Sequence, residues 1–388
     1  MKDFKRLKTL ILNPTENIIM DINDDFGLLE GFYIADEIRD SDSKIIFAGR
    51  NEYTKKLQKL KLNWCKILNA RDVDFRYLSG LHAHIVAFMS LGYIGDTVLL
   101  LPENAGGHFS TEAILKRLGY NVILAVPDCK NLCIDKNRTI ELIRKHTPQF
   151  AFIDRSEGIY YEDFSWIKNA GVPYCVFDAS QYLTQIVTGL YKSPFDLGFD
   201  LILSSTHKNY PGPQKAFLAT KNKDEYWESL KNGSSTYISN SHPKDMFRVV
   251  SSIKNIRELQ DYGALMLNIS DFFETNLYQE GFPVVRKDPQ NIHSQHIWSC
   301  FDTKEDCYRV FCDLEKLGFI TNYRLLPYGL GTGLRIGVGA AIQQGLRMKH
   351  IVPLAHIFSK CYKYGYSNTL LLESQELLNK IYQEGKLI

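Results

Sequence analysis

The 388-residue sequence predicts an α/β protein, with a mainly parallel sheet in a large domain and a smaller α+β domain at the C-terminal end. Two observations carry this expectation. Short apolar runs recur at 97–102 (TVLLLP), 121–127 (NVILAVP), 150–154 (FAFID), 174–178 (YCVFD) and 201–205 (LILSS). Helix-length segments with polar faces separate them, which is the pattern of strands buried on both faces of a covered sheet. Beyond residue 281 the order changes to strand, helix, strand, strand, through IWSCF (297–301), the helix pattern 303–318, FITNYR (319–324) and GLRIGVG (333–339).

The connecting elements follow from local chemistry. HAHIVAFMSLG (82–92) follows the Ser79–Gly80 turn, and STEAILKRLG (110–119) runs from a hydroxyl start to a glycine stop, so both read as capped helices. The polar stretch 228–243 (ESLKNGSSTYISNSHP) interrupts the regularity and reads as a hinge, followed by a mostly helical connector to about Gly281. The expected divisions are an N-terminal arm over 1–45, a large ligand-binding domain over 46–280 and a small domain over 281–388, joined by the arm.

Composition narrows the function classes. With 45% hydrophobic residues the chain is long enough for two cores. A formal charge of +2, with acids and bases interspersed, argues against a nucleic-acid or membrane partner and for small-molecule chemistry. Eight cysteines without a C-x-x-C pair read as reduced thiols, and no metal site is expected. The opening MKDFKRLKTLILNP has only three successive aliphatics, too few for a secretory or membrane-spanning segment, so a cytoplasmic location is expected.

Ligands of an open parallel sheet bind outside the carboxyl ends of its strands. Four such ends carry unusual polar groups: Asp178 ends YCVFD, Thr206–His207–Lys208 follows LILSS, Gly106–Gly107–His108 follows TVLLLP, and Arg155–Ser156 follows FAFID. An aspartate and a lysine at neighbouring strand ends are what pyridoxal 5′-phosphate (PLP) requires. The amine takes the aldehyde, and the carboxylate keeps the ring nitrogen protonated. The same pair also occurs as ordinary caps and surface charges. Ser79–Gly80–Leu81 at a helix start offers backbone N–H groups to a phosphate, or serves simply as a cap. His108 offers a ring to a planar cofactor.

LILNPTEN (10–17), LSGLHAH (78–84), GDTVLLLPENAGGHFS (95–110), VFDASQYLTQI (176–186), SSTHKNYPGP (204–213) and TGLRIG (332–337) occur in this order. Together they resemble serine hydroxymethyltransferase, a fold type I PLP-dependent transferase, from about residue 9 to 345. The resemblance implies that Lys208 is the Schiff-base lysine, Asp178 the partner of the ring nitrogen and His108 the stacking ring. It implies that Ser79, Gly80, Leu81 and His207 hold the phosphate, that Ser205 is the active-site hydroxyl beside the lysine, and that Ser156 approaches the phenolic oxygen. Thr15 and Tyr33 fall near the substrate, Arg335 would clamp its α-carboxylate, and Glu37, or Asp36 beside it, falls where the family has a general acid. The family's site lies across a homodimer interface, where the partner supplies a phosphate-binding turn. Ser239, Asn240 and Ser241 occupy that region.

The departures have a common direction. Gln181 stands where the family has a histidine against the cofactor oxygen, and Thr111 replaces a second histidine. Both changes remove a group that titrates near neutral pH. Asn322–Tyr323–Arg324 replaces the family's folate-holding N-K-N, and the loop from Pro327 to Thr332 is shortened. The expected activity is therefore folate-independent making or breaking of the Cα–Cβ bond of a β-hydroxy amino acid, as in an aldolase or transaldolase. Arg324 would face an anionic or polar aldehyde co-substrate. An aminotransferase, or a PLP-fold protein without catalysis, is the alternative.

Overall fold

The computed structural model describes residues 8–14 and 33–385. The first elements are β1 (Leu10–Ile11), α1 (Asn51–Leu68), β2 (Asp72–Asp74), α2 (Gly80–Leu91), β3 (Thr97–Leu100), α3 (Thr111–Arg117) and β4 (Asn121–Leu124). A small hairpin, β5 (Pro127–Asp128) and β6 (Cys133–Ile134), leads to α4 (Lys136–His146), β7 (Phe150–Ile153), α5 (Ser165–Asn169) and β8 (Tyr174–Asp178). Next come α6 (Leu183–Val187), β9 (Leu201–Ser205), β10 (Ala216–Thr220), α7 (Glu225–Tyr237), α8 (Pro243–Ser252) and the 24-residue α9 (Ile256–Gln279). The C-terminal part holds β11 (Ile297–Cys300), α10 (Lys304–Leu317), β12 (Phe319–Ile320), β13 (Asn322–Leu326), β14 (Gly331–Ile336), α11 (Gly339–Gln343), α12 (Ile351–Tyr364) and α13 (Asn368–Glu384).

Seven strands form one sheet in the order β2-β10-β9-β8-β7-β3-β4. The five apolar runs pair in parallel, and β10 and β2 add an antiparallel edge. Both faces are buried, and side chains alternate between two apolar clusters. Val98, Leu100, Phe150 and Phe152 pack with α2 and Trp227 of α7, whereas Leu99, Ala151, Ile153 and Phe177 pack on the opposite side with Trp64 of α1. The period of two therefore places both faces of each run in apolar surroundings, as continuous runs require. A third cluster joins Leu10 and Leu12 to Met266 and Phe273 of α9, Ile297 of β11, Leu334 and Ile336 of β14, and α10, α12 and α13.

Two readings of the chain are corrected. Residues 228–243 are not an irregular hinge: α7 runs to Tyr237, capped by Asp224, whose carboxylate accepts the Trp227 N–H. Its apolar face lies on α2, where Ser229 Oγ donates to the Ser90 carbonyl and Gly233 leaves room for the Ser90 side chain. The polar composition reflects the other face of an amphipathic helix. FITNYR is likewise two strands, because β12 pairs in parallel with β1 while β13 turns to pair with β14.

The three-stranded sheet β11-β14-β13 has its closest approach at Gly333, where a Cβ would lie 2.1 Å from the Ser299 carbonyl oxygen across the ladder. Gly333→Val is expected to destabilise the fold by about 2–3 kcal/mol through this backbone clash. Urea unfolding checks it, and an unchanged midpoint would show that the sheet yields freely there.

Candidate active site

The carboxyl ends of β3, β7, β8 and β9 meet, and Asp178 is the charge at their centre. Its Oδ1 accepts the Ser180 backbone N–H at 2.8 Å and the Ser180 hydroxyl at 2.5 Å, and its Oδ2 is 2.7 Å from His84 Nε2. Burial alone would raise this carboxyl. The His84 hydrogen bond, with help from Lys208 and Ser180, outweighs burial and holds Asp178 down at about 2, so it is a carboxylate at neutral pH. Ser180 also ties two strand ends together, because its Oγ accepts the Ser205 N–H at 2.9 Å.

Lys208 lies in the tight loop after β9. Thr206 closes that loop by donating its N–H to the Lys215 carbonyl at 3.0 Å and its hydroxyl to Pro213 at 2.7 Å, and it accepts the Gly212 N–H at 2.8 Å. On the other flank Asn209 accepts the Thr184 N–H at 2.7 Å and donates to Gln185 at 2.9 Å, which pins the loop to α6. Burial lowers the Lys208 amine, Asp178 opposes this, and Arg335 lowers it further. The net direction is downward. His207 and His108 are both pushed down to about 4, by burial first and then by the neighbouring Lys208, with His84 adding to the effect at His108.

His108 is delivered by two glycines. Gly106 has φ +86°, and a Cβ on it would lie 2.0 Å from the Glu157 carbonyl oxygen; one on Gly107 would lie 2.2 Å from the Leu101 carbonyl. Only glycine permits this approach. The Gly106 carbonyl accepts the Ser156 and Glu157 N–H groups at 2.8 and 3.0 Å, so the turn carrying His108 and the turn carrying Ser156 move as one piece.

Arg335 comes from β14, directly opposite Asn322 of β13. Its Nη1 is 3.5 Å from the Ser156 carbonyl and 3.9 Å from Glu157 Oε2. Burial lowers the guanidinium to about 10, leaving it charged at neutral pH. Arg324 is not the open cation that the sequence suggested, because its Nη2 is ion-paired with Glu157 Oε1.

Gln181 and Thr111 have acquired partners in place of titration. The Gly158 N–H points at His296 Nδ1, 3.5 Å away, so His296 Nε2 carries the hydrogen that goes to Gln181 Oε1 at 3.1 Å. The Gln181 amide nitrogen is thereby turned away from His296. Thr111 Oγ1 donates to Asp154 Oδ2 at 2.5 Å, and burial raises the Asp154 carboxyl well above the usual range.

The Ser79–Gly80–Leu81 turn is a helix cap. Ser79 Oγ accepts the His82 N–H at 3.2 Å, while the Gly80 and Leu81 amides open the first turn of α2. The Leu81 side chain itself is exposed, so only its backbone could serve a ligand. Gly80 backs onto Ser205, with 3.3 Å between a Cβ there and Ser205 Cβ.

Glu37 and Tyr33 are not brought to this group. They line a separate cavity of about 590 Å³ with Asp36, Arg76, Ser239 and Ser241, which shares no lining residue with the Lys208 cluster. Glu37 is exposed, and the carboxylate held there is Asp36, 2.9 Å from Lys61 and ion-paired with Lys231. Thr15 lies outside the described residues. His84, Glu157, Asp154 and His296 were not anticipated. His84 had a signal, since it follows Gly80 by four residues and so shares its helix face. The others sit on strand ends and turns whose pairing only the tertiary structure reveals.

No family profile matches the chain. The solved structure of L-threonine transaldolase from Pseudomonas fluorescens, in its internal aldimine state, superposes with a TM-score of 0.89 over 100% of this chain and 90% of that one, at 19% identity. The fold is that of the serine hydroxymethyltransferase-like, fold type I enzymes. In sequence, the chain is 30% identical over 225 residues to the fluorothreonine transaldolase of Streptantibioticus cattleyicolor, a match covering 58% of this chain and only 35% of that relative. It is 26% identical over 299 residues to a Streptomyces L-threonine:uridine-5′-aldehyde transaldolase, covering 75% of this chain and 70% of the relative. It is 25% identical over 379 residues to serine hydroxymethyltransferase of Saccharolobus islandicus, covering 92% and 85%.

The residues present fit PLP. Ser205 Oγ, Gln181 Nε2 and His207 Nδ1 are buried without a partner among the described residues, and polar atoms so placed are costly unless a ligand completes them. They surround an ionised aspartate and a lysine whose amine is more readily uncharged than a surface one. Capture of PLP by Lys208 is therefore expected to persist to lower pH than reaction of a free lysine, with a midpoint below 10.5, because a lowered pKa keeps the amine nucleophilic as pH falls. Absorbance titration of the apoprotein measures it, and a midpoint at or above that value would contradict the burial argument. His84→Phe removes a donor to Asp178 while keeping ring volume. The expected loss is about tenfold in PLP affinity, about the value of one charge-assisted hydrogen bond, read by equilibrium titration.

Proposed function

We propose that this chain is a PLP-dependent enzyme that makes and breaks the Cα–Cβ bond of a β-hydroxy amino acid, passing the amino-acid part from one aldehyde to another. The observation that carries the reading is that the buried Lys208 amine feels both the ionised Asp178 carboxylate and the Arg335 guanidinium. The threonine transaldolases among its relatives support the reaction type.

PLP, when bound, supplies the electron sink that weakens a bond at the amino acid α-carbon, and the protein chooses which bond. Lys208 would hold the cofactor through its amine, Asp178 would keep a proton on the ring nitrogen, and His108 would cover the ring. The Gly80 and Leu81 amides and His207 would take the phosphate. Gln181, oriented by His296, would direct an N–H toward the phenolic oxygen, with Ser156 nearby. Arg335 takes the substrate carboxylate in its planar fork. With His108 and His207 at about 4 and burial pushing His296 well below its usual range, these imidazoles are neutral at pH 7. Lys208 is left as the group best suited to exchange a proton near the α-carbon. Ser205 stands beside it as the assisting hydroxyl.

In this reading the working unit is a homodimer. Tyr33 and Glu37 stand apart from the Lys208 group of their own chain, beside Ser239 and Ser241, and a second copy is what would bring them to a cofactor.

Incubating the PLP-loaded protein with threonine and a second aldehyde is expected to release acetaldehyde and form a new β-hydroxy amino acid, both followed by mass spectrometry, with Lys208→Ala abolishing both. Tetrahydrofolate is expected to leave serine cleavage unchanged, since Arg324 is committed to Glu157. Formation of a keto acid with the pyridoxamine form of the cofactor would replace this reading with transamination.

A further inference from the structure

Three charged groups, Glu157, Arg324 and Arg335, meet at the turn after β7, and their arithmetic restricts the co-substrate. Glu157 is 2% exposed, and its position is fixed by the backbone: its N–H is held by the Gly106 carbonyl, and its own carbonyl fills the space that a Gly106 side chain would occupy. The root of the side chain is therefore fixed, and Arg324 holds the carboxylate. Arg324, partly exposed at 30%, is ion-paired to Oε1, whereas Arg335 stands 3.9 Å from Oε2, beyond hydrogen-bond range. Oε2 and Arg335 Nε are both buried with no hydrogen-bond partner among the described residues. Burial raises the Glu157 carboxyl and the two guanidiniums offset only part of this, while the ion pair with Arg324 is the contact that favours its charged form.

Two cations and one anion leave a single positive charge. The amino acid carboxylate on Arg335 consumes it. A second anionic group entering beside it would find Arg324 already neutralised and Glu157 Oε2 presenting a buried lone pair. Like charges in so dry a place are strongly disfavoured. A further charge acting on Glu157, the exposed Glu103 carboxylate, is also negative. An uncharged substituent meets no such penalty.

Building on the function proposed above, we propose that Glu157, paired with Arg324, is the specificity-determining residue of this site: it admits aldehydes with uncharged substituents and rejects those carrying a carboxylate or phosphate. In a β-hydroxy amino acid the former aldehyde becomes the side chain, so amino acid side chains probe the same space without turnover.

The test uses PLP-loaded protein and near-isosteric pairs, asparagine against aspartate and glutamine against glutamate, with dissociation constants read from the change in cofactor absorbance and glycine as reference. The wild type is expected to bind each amide at least about tenfold more tightly than its acid, a step of about 1.4 kcal/mol. Glu157→Gln releases Arg324 and is expected to move the ratio about tenfold or more toward the acids. Arg324→Gln leaves Glu157 uncompensated and is expected to move it the other way, which a merely structural role would not do. If the first variant does not fold, the second decides alone. Wild-type preference for the acids, or ratios unchanged in the variants, overturns the inference and leaves the proposed reaction standing. No response to any amino acid, glycine included, overturns both.

Discussion

A buried carboxylate must be kept ionised by its surroundings, and the geometry around Asp178 follows from that constraint. Two donors from Ser180 occupy one oxygen and His84 contacts the other, so one helix and two strand ends are bound to a single charge. The same Ser180 hydroxyl takes the Ser205 amide, so the loop carrying Lys208 starts from a strand whose end is referenced to Asp178. His84 is in turn packed edge-on against Phe152 at 4.8 Å and faces the His108 ring at 5.8 Å. His108, Asp178 and the loop carrying Lys208 thus share one frame, the kind of preorganisation that the proposed catalysis would depend on.

The loss of two family histidines looks, in sequence, like a loss of proton chemistry. The structure shows substitution by fixed dipoles. A backbone N–H sets the His296 tautomer, His296 sets the Gln181 amide, and the amide is left pointing one way. At the other position Thr111 donates to Oδ2 of Asp154, a carboxyl that burial pushes well above its usual range. Both replacements favour neutral hydrogen bonds of fixed direction over groups that change charge with pH.

The large sheet was legible because its strands are buried on both faces, so their composition alone marks them. The rule that ligands bind where parallel strands end singled out Lys208, Asp178 and His108 as candidates, and the resemblance alone added Arg335, which lies in the antiparallel sheet. The short edge strand DVD (72–74) carries two acids, and AFLAT (216–220) follows immediately on the lysine loop, so neither stood out as a strand. The polar segment 228–243 misled because a helix with one wet face has the composition of a loop. Arg324 was misread for a different reason. Its partner lies on a turn 167 positions earlier in the sequence, and no local pattern announces an ion pair between two domains' worth of chain. Asp36 and Glu37 are adjacent acids whose register the sequence leaves open; the fold holds Asp36 against Lys61 and leaves Glu37 exposed.

The short strand at the front of the chain has a further consequence. Leu10 and Leu12 donate their N–H groups to Gly318 and Ile320, and the Leu12 carbonyl accepts the Gly337 N–H at 2.9 Å, two residues beyond Arg335. Pro14 packs so tightly over Gly337 that a Cβ there would lie 2.6 Å from the proline ring. Residues 10–14 are therefore a clasp over the root of the strand that carries Arg335. Because β12 pairs with β1 alone, unclasping them would bare a sheet edge and loosen the arginine's footing in the same event. Residues 10–14 thus bear on how Arg335 is held, although none of them belongs to the group around Asp178 and Lys208.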